Sequence, residues 1–456
     1  MAGSQVSMHG QWSSRWVFIM AATGSAVGLG NIWRFPYVTG ENGGGAFVLI
    51  YLLCVVSVGI PIMIAEVLLG RRGRQSPINT MRDLAKAEGR GPQWRLVGWL
   101  GVSAGFLILS FYSVVAGWSV AYIFQVAGGV FSGATAETSA QHFDELTGSA
   151  PRLLMWHSVF MVLVIGVVAR GVQGGLERAV KWLMPALFIL LVAMVAYAMV
   201  TGDFSSALNY LFKPDFDKIS GETVLAALGQ AFFSLSLGMG SIIVYGAYLS
   251  KETSIVQTTF IIGAVDTLVA LLAGLVIFPI VFAYGLEPGS GPGLVFVSLT
   301  IAFGQMPGGQ IFGSLFFTLL TVAAWTSAIS LLEPVTAWLI EQFNWSRLKA
   351  SMLAGFGAWL LGIGSLLSFN LWQDMKLYGK DFFGWTEFLG ATVMLPLGGL
   401  FIAIFAGWRM AKRSTAEELA TNAWVYTAWR VLVRFAAPVG VIAIFLNAIG
   451  VINGAS

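Results

Sequence analysis

Eleven runs of about 20 apolar residues fill this chain of 456, and two of them are broken by glycine at the same place in each half. Gly28-Leu29-Gly30 interrupts the first run and Gly238-Met239-Gly240 the sixth. Hydrophobic residues make up 57% of the chain and charged ones 10%, against roughly 25% charged in soluble domains. The fold class is therefore all-α integral membrane. A helix broken at mid-membrane bares N–H and C=O groups that lipid cannot satisfy, so a break is tolerable only where the backbone lines a cavity or binds something. Breaks at matching places in two halves point to a binding site between inverted repeats.

The expected spans cover about 13–39, 43–70, 96–127, 153–169, 176–200, 224–249, 255–285, 308–343, 349–370, 383–408 and 430–451. Five spans per repeat force the second set to run inverted, giving a 5+5 arrangement with helices 1 and 6 broken. The expected domain is single, 1–456, with repeats at about 13–200 and 224–408 and an additional helix at about 430–451. Most of the 25 Lys and Arg fall on one side, notably Arg71, Arg72, Arg74, Arg82, Arg409, Lys412 and Arg413. That asymmetry predicts a cytoplasmic N-terminus and, with an odd span count, a C-terminus outside. The polar stretch Met1 to Ser13 has no apolar core of a cleaved signal. The lone Cys54 excludes an intrachain disulfide, and no basic-aromatic pattern suggests nucleic acid. The lipid bilayer is the expected surrounding, and the sequence assigns no oligomeric state.

Four stretches resemble a known family. GSAVGLGNIWRFP at 24–36 with ENGGGAF at 41–47, GVQGGLE at 171–177 and QAFFSLSLGMG at 230–240 resemble the first, fifth and sixth helices of the neurotransmitter:sodium symporters. The likeness runs through the tenth helix and is strongest to the bacterial amino-acid transporter branch, in particular to an eleven-helix member that carries hydrophobic amino acids. It implies a leucine-transporter-like fold and sodium-coupled import of neutral aliphatic or aromatic L-amino acids by alternating access.

The free N–H groups of the broken first helix, around Ser25, Ala26, Gly28 and Gly30, suit a substrate carboxylate. The family's amine carriers have Asp at the position of Gly28, so glycine there favours a substrate that brings its own carboxylate. Tyr112 matches the family tyrosine that binds that carboxylate. Ile108, Phe233, Ser234, Ser236, Met239, Ser327 and Leu331 would line the rest of the pocket. Taken alone, Ile108 and Leu331 are ordinary helix packing. Met239 replaces a phenylalanine of the leucine transporter and adapts to varied side chains.

Two sodium ions are implied. The first would take Ala26, Asn31, Ser234 and Asp266; the second, Gly24, Val27, Ala323, Thr326 and Ser327. Oxygen donors suit a hard cation. Asp266 stands in the apolar stretch GAVDTLVAL, where a carboxylate costs on the order of 3 kcal/mol or more and marks function by default. The leucine transporter has Asn there, and chloride-dependent relatives recruit chloride nearby. A fixed carboxylate would supply that charge, so no chloride is expected. Gates are implied at Arg34 with Glu387 on the outside, and at Trp12, Tyr248 and Glu341 on the inside. The usual inner arginine is replaced by His9, which would make a weaker, pH-sensitive pair, with Arg15 a possible substitute. Gly175 and Pro185 predict local unwinding in the fifth helix. Glu66 reads as a structural acid near the breaks, and Glu333 receives no role.

No enzyme is expected. Gly101-Val-Ser-Ala-Gly105 has the nucleophile-elbow spacing but lies in an apolar helix rather than a strand–turn–helix, and His9, His142 and His157 have no metal-ligand spacing. The alternative to a transporter is an amino-acid-gated sensor or channel on the same fold.

Overall fold

A computed structural model describes residues 9–288 and 293–448. They are helical, with one isolated bridge, Leu377 to Lys380, and no strand among the described residues. The helices are α1 (Arg15–Ala26), α2 (Gly30–Glu41), α3 (Gly45–Gly73), α4 (Pro77–Ala87), α5 (Pro92–Ala127), α6 (Ala136–Thr147), α7 (Ala150–Val168) and α8 (Val172–Thr201). There follow α9 (Phe204–Phe212), α10 (Gly221–Ser234), α11 (Ser241–Ala247), α12 (Ile255–Ala283), α13 (Leu294–Gln305), α14 (Gly309–Phe343), α15 (Arg347–Leu367), α16 (Phe382–Arg409), α17 (Lys412–Leu419) and α18 (Ala423–Leu446).

Nine of the described helices are long and apolar enough to cross a membrane, and ten if α1 and α2, bent by 51°, form one span. α10 and α11, which occupy the sixth apolar run, are each too short to be counted. The connections between the expected spans carry the short helices α4, α6, α9, α13 and α17. The end of the last expected span, 449–451, lies outside the described residues.

Burial separates an inner set from a lipid-facing set. In α5 and α14, 78% of the apolar stretch is buried, against 33% in α8 and 28% in α18. α5 packs along α14, α7 and α15, while α3 packs on α10 and α11, and α1 on α12 and α14. The two helix breaks lie between these groups.

Backbone conformation explains the second break. Ser236, Gly238 and Gly240 have φ of 54°, 77° and 76°, a left-handed region that glycine enters freely and serine does not. The Ser236 hydroxyl donates to the Ser25 carbonyl at 2.8 Å, which holds the strained residue in place. Glycine at 238 is also required by space, since a Cβ there would lie 2.1 Å from the Leu395 carbonyl oxygen. Pro185, by contrast, sits inside the continuous helical stretch Arg178–Thr201. The irregular turns lie ahead of it at Val172–Glu177, where a Cβ on Gly175 would meet the Val167 carbonyl at 2.1 Å.

Two fully buried acids hold elements together. Glu66 of α3 accepts the Gly238 N–H at 2.7 Å, the structural part expected of it. Glu333 of α14 accepts the Tyr248 hydroxyl at 2.7 Å and pairs with Arg347 at the start of α15. Arg347 also donates to the Val168 carbonyl at the end of α7, at 2.8 Å. This ties α7, α11, α14 and α15 at one level and gives Glu333 a definite place.

Gly238→Ala combines a positive φ with a backbone clash and should lose about 1–3 kcal/mol or more, read as a lower thermal midpoint in detergent. Gly229→Ala, with open space around it, should unfold no earlier than the parent. Arg347→Ala strands a buried carboxylate and should cost about 3–5 kcal/mol. Adding Glu333→Gln should restore most of that loss, which differential scanning of the double variant would reveal.

Candidate functional site

The two breaks meet. A Cβ on Gly28 would come within 2.7 Å of the Tyr112 hydroxyl and 3.1 Å of Ser327 Oγ, and one on Gly30 within 2.9 Å of the Phe233 ring. The first break therefore lies against α5, α14 and α10 at van der Waals distance, and only glycine fits. Its bared groups are answered from several helices. The Leu29 N–H donates to the Tyr112 hydroxyl at 3.1 Å, and the Gly28 N–H to the Asn31 side-chain oxygen at 3.2 Å. The Gly30 carbonyl accepts from Gln230 at 2.8 Å. The Ser25 carbonyl accepts from Ser236 and Ser327 at 2.8 and 3.1 Å, and Ser25 Oγ donates to Ser330 at 2.7 Å.

Beside the break, Asn31, Ser234 and Asp266 form one buried cluster. The Asn31 amide donates to Asp266 Oδ1 at 2.8 Å, to the Asp266 carbonyl at 3.1 Å and to Ser234 Oγ at 3.1 Å. Ser234 donates to Asp266 Oδ2 at 2.6 Å, and the Tyr51 hydroxyl donates to Ser234 at 3.2 Å. No cation pairs with Asp266 among the described residues. Ala26 is buried at the end of α1.

On the other side of α1, Gly24 packs on Thr326, with 3.2 Å between a Gly24 Cβ and Thr326 Cβ. Thr326 Oγ1 donates to the Ala323 carbonyl at 3.0 Å, the local back-bonding usual for threonine in an apolar helix. Val27 is fully buried at the end of α1.

Among the apolar candidates, Met239 and Leu331 come together across Gly105, whose Cβ would lie 3.0 Å from the Met239 carbonyl and 3.7 Å from Leu331 Cδ2. Ile108 also faces α16, where a Cβ on Gly390 would lie 3.1 Å from Ile108 Cγ1. Above the break, Leu29, Tyr112, Phe233, Arg34 and Glu387 line one cavity of ≈ 200 Å³ walled mostly by aromatic rings. The two charged residues make no ion pair among the described residues. Arg34 lies 4.8 Å over the Phe233 ring and donates to Gln230 at 3.3 Å.

The opposite, basic face is closed. His9 Nε2 is 2.9 Å from Glu341, and Glu341 also accepts from the Ser76 N–H at 2.7 Å, the Ser76 hydroxyl at 2.5 Å and Asn79 at 2.7 Å. His9 rather than Arg15 is the partner. Trp12 is pinned through its indole N–H to the Tyr245 carbonyl at 3.0 Å and through its backbone N–H to the Tyr248 carbonyl at 3.1 Å. Ser13 Oγ donates to Glu177 at 2.5 Å, and Lys181 donates to the same carboxylate at 2.6 Å.

Sequence reasoning gave no role to Gln230, Tyr51, Ser330 or Glu177. Gln230 carries a signal, as an amide in an apolar run four residues before Ser234. The other three show only once the helices are packed.

The sequence matches the sodium:neurotransmitter symporter family over residues 9–136 and 143–454. It is 39% identical to a sodium-dependent transporter of Bacillus subtilis, YhdH, over 97% of this chain and 98% of that one. It is 36% identical to a sodium-dependent transporter of Haemophilus influenzae, over 96% and 97%. The structure of MhsT in complex with L-phenylalanine superposes with a TM-score of 0.89 at 43% identity, covering 96% of this chain and 99% of that one. Matched by the family model over most of its length and by full-length relatives at 36–39% identity, the chain belongs to the sodium:neurotransmitter symporter family of membrane transporters.

Proposed function

We propose that this protein imports neutral hydrophobic L-amino acids, aliphatic and aromatic, across a bacterial inner membrane in symport with two sodium ions, without chloride. The observation that carries the reading is the buried carboxylate of Asp266, held with Asn31 and Ser234 against the break at Gly28 to Gly30. Oxygens of Asp266, Asn31 and Ser234 with the Ala26 carbonyl make a donor set for a hard cation. Family membership supports sodium, and the L-phenylalanine bound to MhsT supports the substrate class.

The substrate carboxylate would sit where the Leu29 N–H and the Tyr112 hydroxyl meet. The side chain would enter the space bordered by Phe233, Ser236, Met239 and Leu331, with Ile108 at its edge. The second sodium would lie between the carbonyls of Gly24, Val27 and Ala323 and the hydroxyls of Thr326 and Ser327. In this reading α10 and α11 form one interrupted span, which gives eleven spans in a single domain of two inverted repeats with the N-terminus cytoplasmic and the C-terminus outside. The joined His9–Glu341 contact and the unpaired Arg34 and Glu387 are then the arrangement of a transporter closed on its cytoplasmic face, with the cavity of ≈ 200 Å³ as its outer approach.

Charge balance argues for chloride independence. Two cations and a zwitterion bring uncompensated charge into a low-dielectric site. Asp266 supplies one negative charge, and Ala270 stands one turn further along α12 where the leucine transporter has an acid.

In proteoliposomes, leucine and phenylalanine uptake should rise with an inward sodium gradient and fall to background when choline replaces sodium. Tryptamine, which lacks the carboxylate, should compete far less well than tryptophan. Equal uptake in choline would end the sodium assignment, and stronger competition by the amine would end the substrate assignment.

Replacing chloride by gluconate should leave uptake unchanged. Asp266→Asn should weaken apparent sodium affinity by tenfold or more, equivalent to about 1.4 kcal/mol or above, and acid pH should do likewise in the parent once the carboxylate takes a proton. Parent-like sodium affinity in Asp266→Asn would remove the carboxylate from the first sodium site.

A further inference from the structure

The α7–α15 pair encloses a groove of ≈ 560 Å³ that faces outward, away from the substrate path. Val162, Ile165, Gly166 and Ala169 of α7 and Met352 and Phe356 of α15 form its walls. A Cβ on Gly355 would lie 2.3 Å from Ile165 Cγ1, so the helices touch closely behind the groove. Gly166, at its centre, has nothing within 4 Å of where its Cβ would stand. The groove's polar groups are already used. Trp359 donates to Ser158 at 2.9 Å at one end, and Arg347 covers the Val168 carbonyl at the other.

Length and charge identify an occupant. Ser158 to Ala169 spans roughly 16 Å of helix at about 1.5 Å per residue, half of the ~30 Å hydrocarbon core. The groove is thus the depth of one leaflet. Its open end is flanked by Arg170, next to Ala169, and Lys349, next to Leu348, both exposed. Neither is in an ion pair with a carboxylate among the described residues, and the nearby Glu333 is taken by Arg347. Lipid tails gain little from an apolar groove that they do not already have in the bilayer, so selectivity must come from the headgroup.

We propose that this groove holds one acyl chain of an anionic glycerophospholipid, with its phosphate between Arg170 and Lys349. On the orientation proposed above this is an inner-leaflet lipid. It braces the α7–α15 pair from which Arg347 reaches Glu333. Lys349 Nζ lies 4.3 Å over the Trp345 ring, so at about 1 kcal/mol for Arg170 and less for Lys349 the two cations correspond to roughly a tenfold preference over a zwitterionic lipid.

The purified full chain, offered equal phosphatidylglycerol and phosphatidylcholine, is examined by native mass spectrometry. The expected result is about tenfold more phosphatidylglycerol retained. Arg170→Gln with Lys349→Gln should bring the ratio to about one. Gly166→Phe fills the groove and should abolish the retained lipid while its thermal midpoint in phosphatidylcholine nanodiscs stays at the parent value. Should that variant fail to fold, Met352→Trp fills the same space from the facing helix. Equal retention of both lipids by the parent, or undiminished phosphatidylglycerol in the filled variant, would overturn the proposal. So would a parent dimer that becomes monomeric in Gly166→Phe without any lipid preference, since a second copy would then occupy the groove. Lipid retention is read without transport, so this result and the uptake result stand or fall separately.

Discussion

A helix broken at mid-membrane leaves peptide groups that neither water nor lipid can satisfy, and each one left unpaired costs on the order of 1–3 kcal/mol. The centre of this protein is organised around finding them partners. Tyr112 answers for Leu29, Gln230 for Gly30, Glu66 for Gly238, and Ser236 and Ser327 for Ser25. These partners come from α3, α5, α10, α14 and the second break itself. The broken backbone is therefore coupled to most of the inner helices, and no part of it can move without exchanging hydrogen bonds. The Tyr112 hydroxyl accepts from Leu29 and keeps its own proton to donate. A carboxylate arriving there would take a bond from each, which is why the proposed substrate is one that carries an anion.

Among the described residues three carboxylates are fully buried, and their partners set them apart. Glu333 has a cation, Arg347, beside it. Glu66 has one backbone N–H on Oε1, and its Oε2 has no partner among the described residues. Asp266 has neutral donors on both oxygens and further oxygens from Ser234 and the backbone close by. A buried carboxylate without a counter-charge takes up either a proton or a cation. Only Asp266 lies among enough oxygens at a backbone break to favour a bound cation. The proposed sodium site follows from that contrast as much as from the family pattern.

The apolar runs, the first break and the isolated charge at Asp266 were legible in the sequence because each is a local violation of what a membrane helix tolerates. Other features were hidden for physical reasons. α4, α6 and α9 are too short to carry a spanning signal, and α13 lies in a connection marked by Gly and Pro. Glu333 and Arg347 are joined across a turn whose reversal depends on Asn344 at φ 51°, which sequence spacing does not reveal. Arg34 and Glu387 were read as a pair, whereas here the guanidinium is engaged by Gln230 and Phe233. Whether two charges far apart in sequence meet is set by how their helices pack, which residue types do not encode.

The closed face bears on how the proposed alternating-access cycle would reverse. A His–Glu pair looks weaker than an Arg–acid pair, but Glu341 does not depend on His9 alone. Ser76 and Asn79, on and just before α4, give its carboxylate three further hydrogen bonds. Withdrawing His9 and Trp12 would therefore leave Glu341 solvated by the protein rather than stranded, and the several kcal/mol cost of an abandoned buried charge would not arise. The connection between the second and third expected spans thus supplies a standing cradle for the Glu341 carboxylate. In the proposed cycle, opening this face would mean releasing the N-terminal segment from Tyr245, Tyr248, Glu341 and Glu177. That is a handful of hydrogen bonds at about 1 kcal/mol each, small enough for substrate and ion occupancy to tip in either direction.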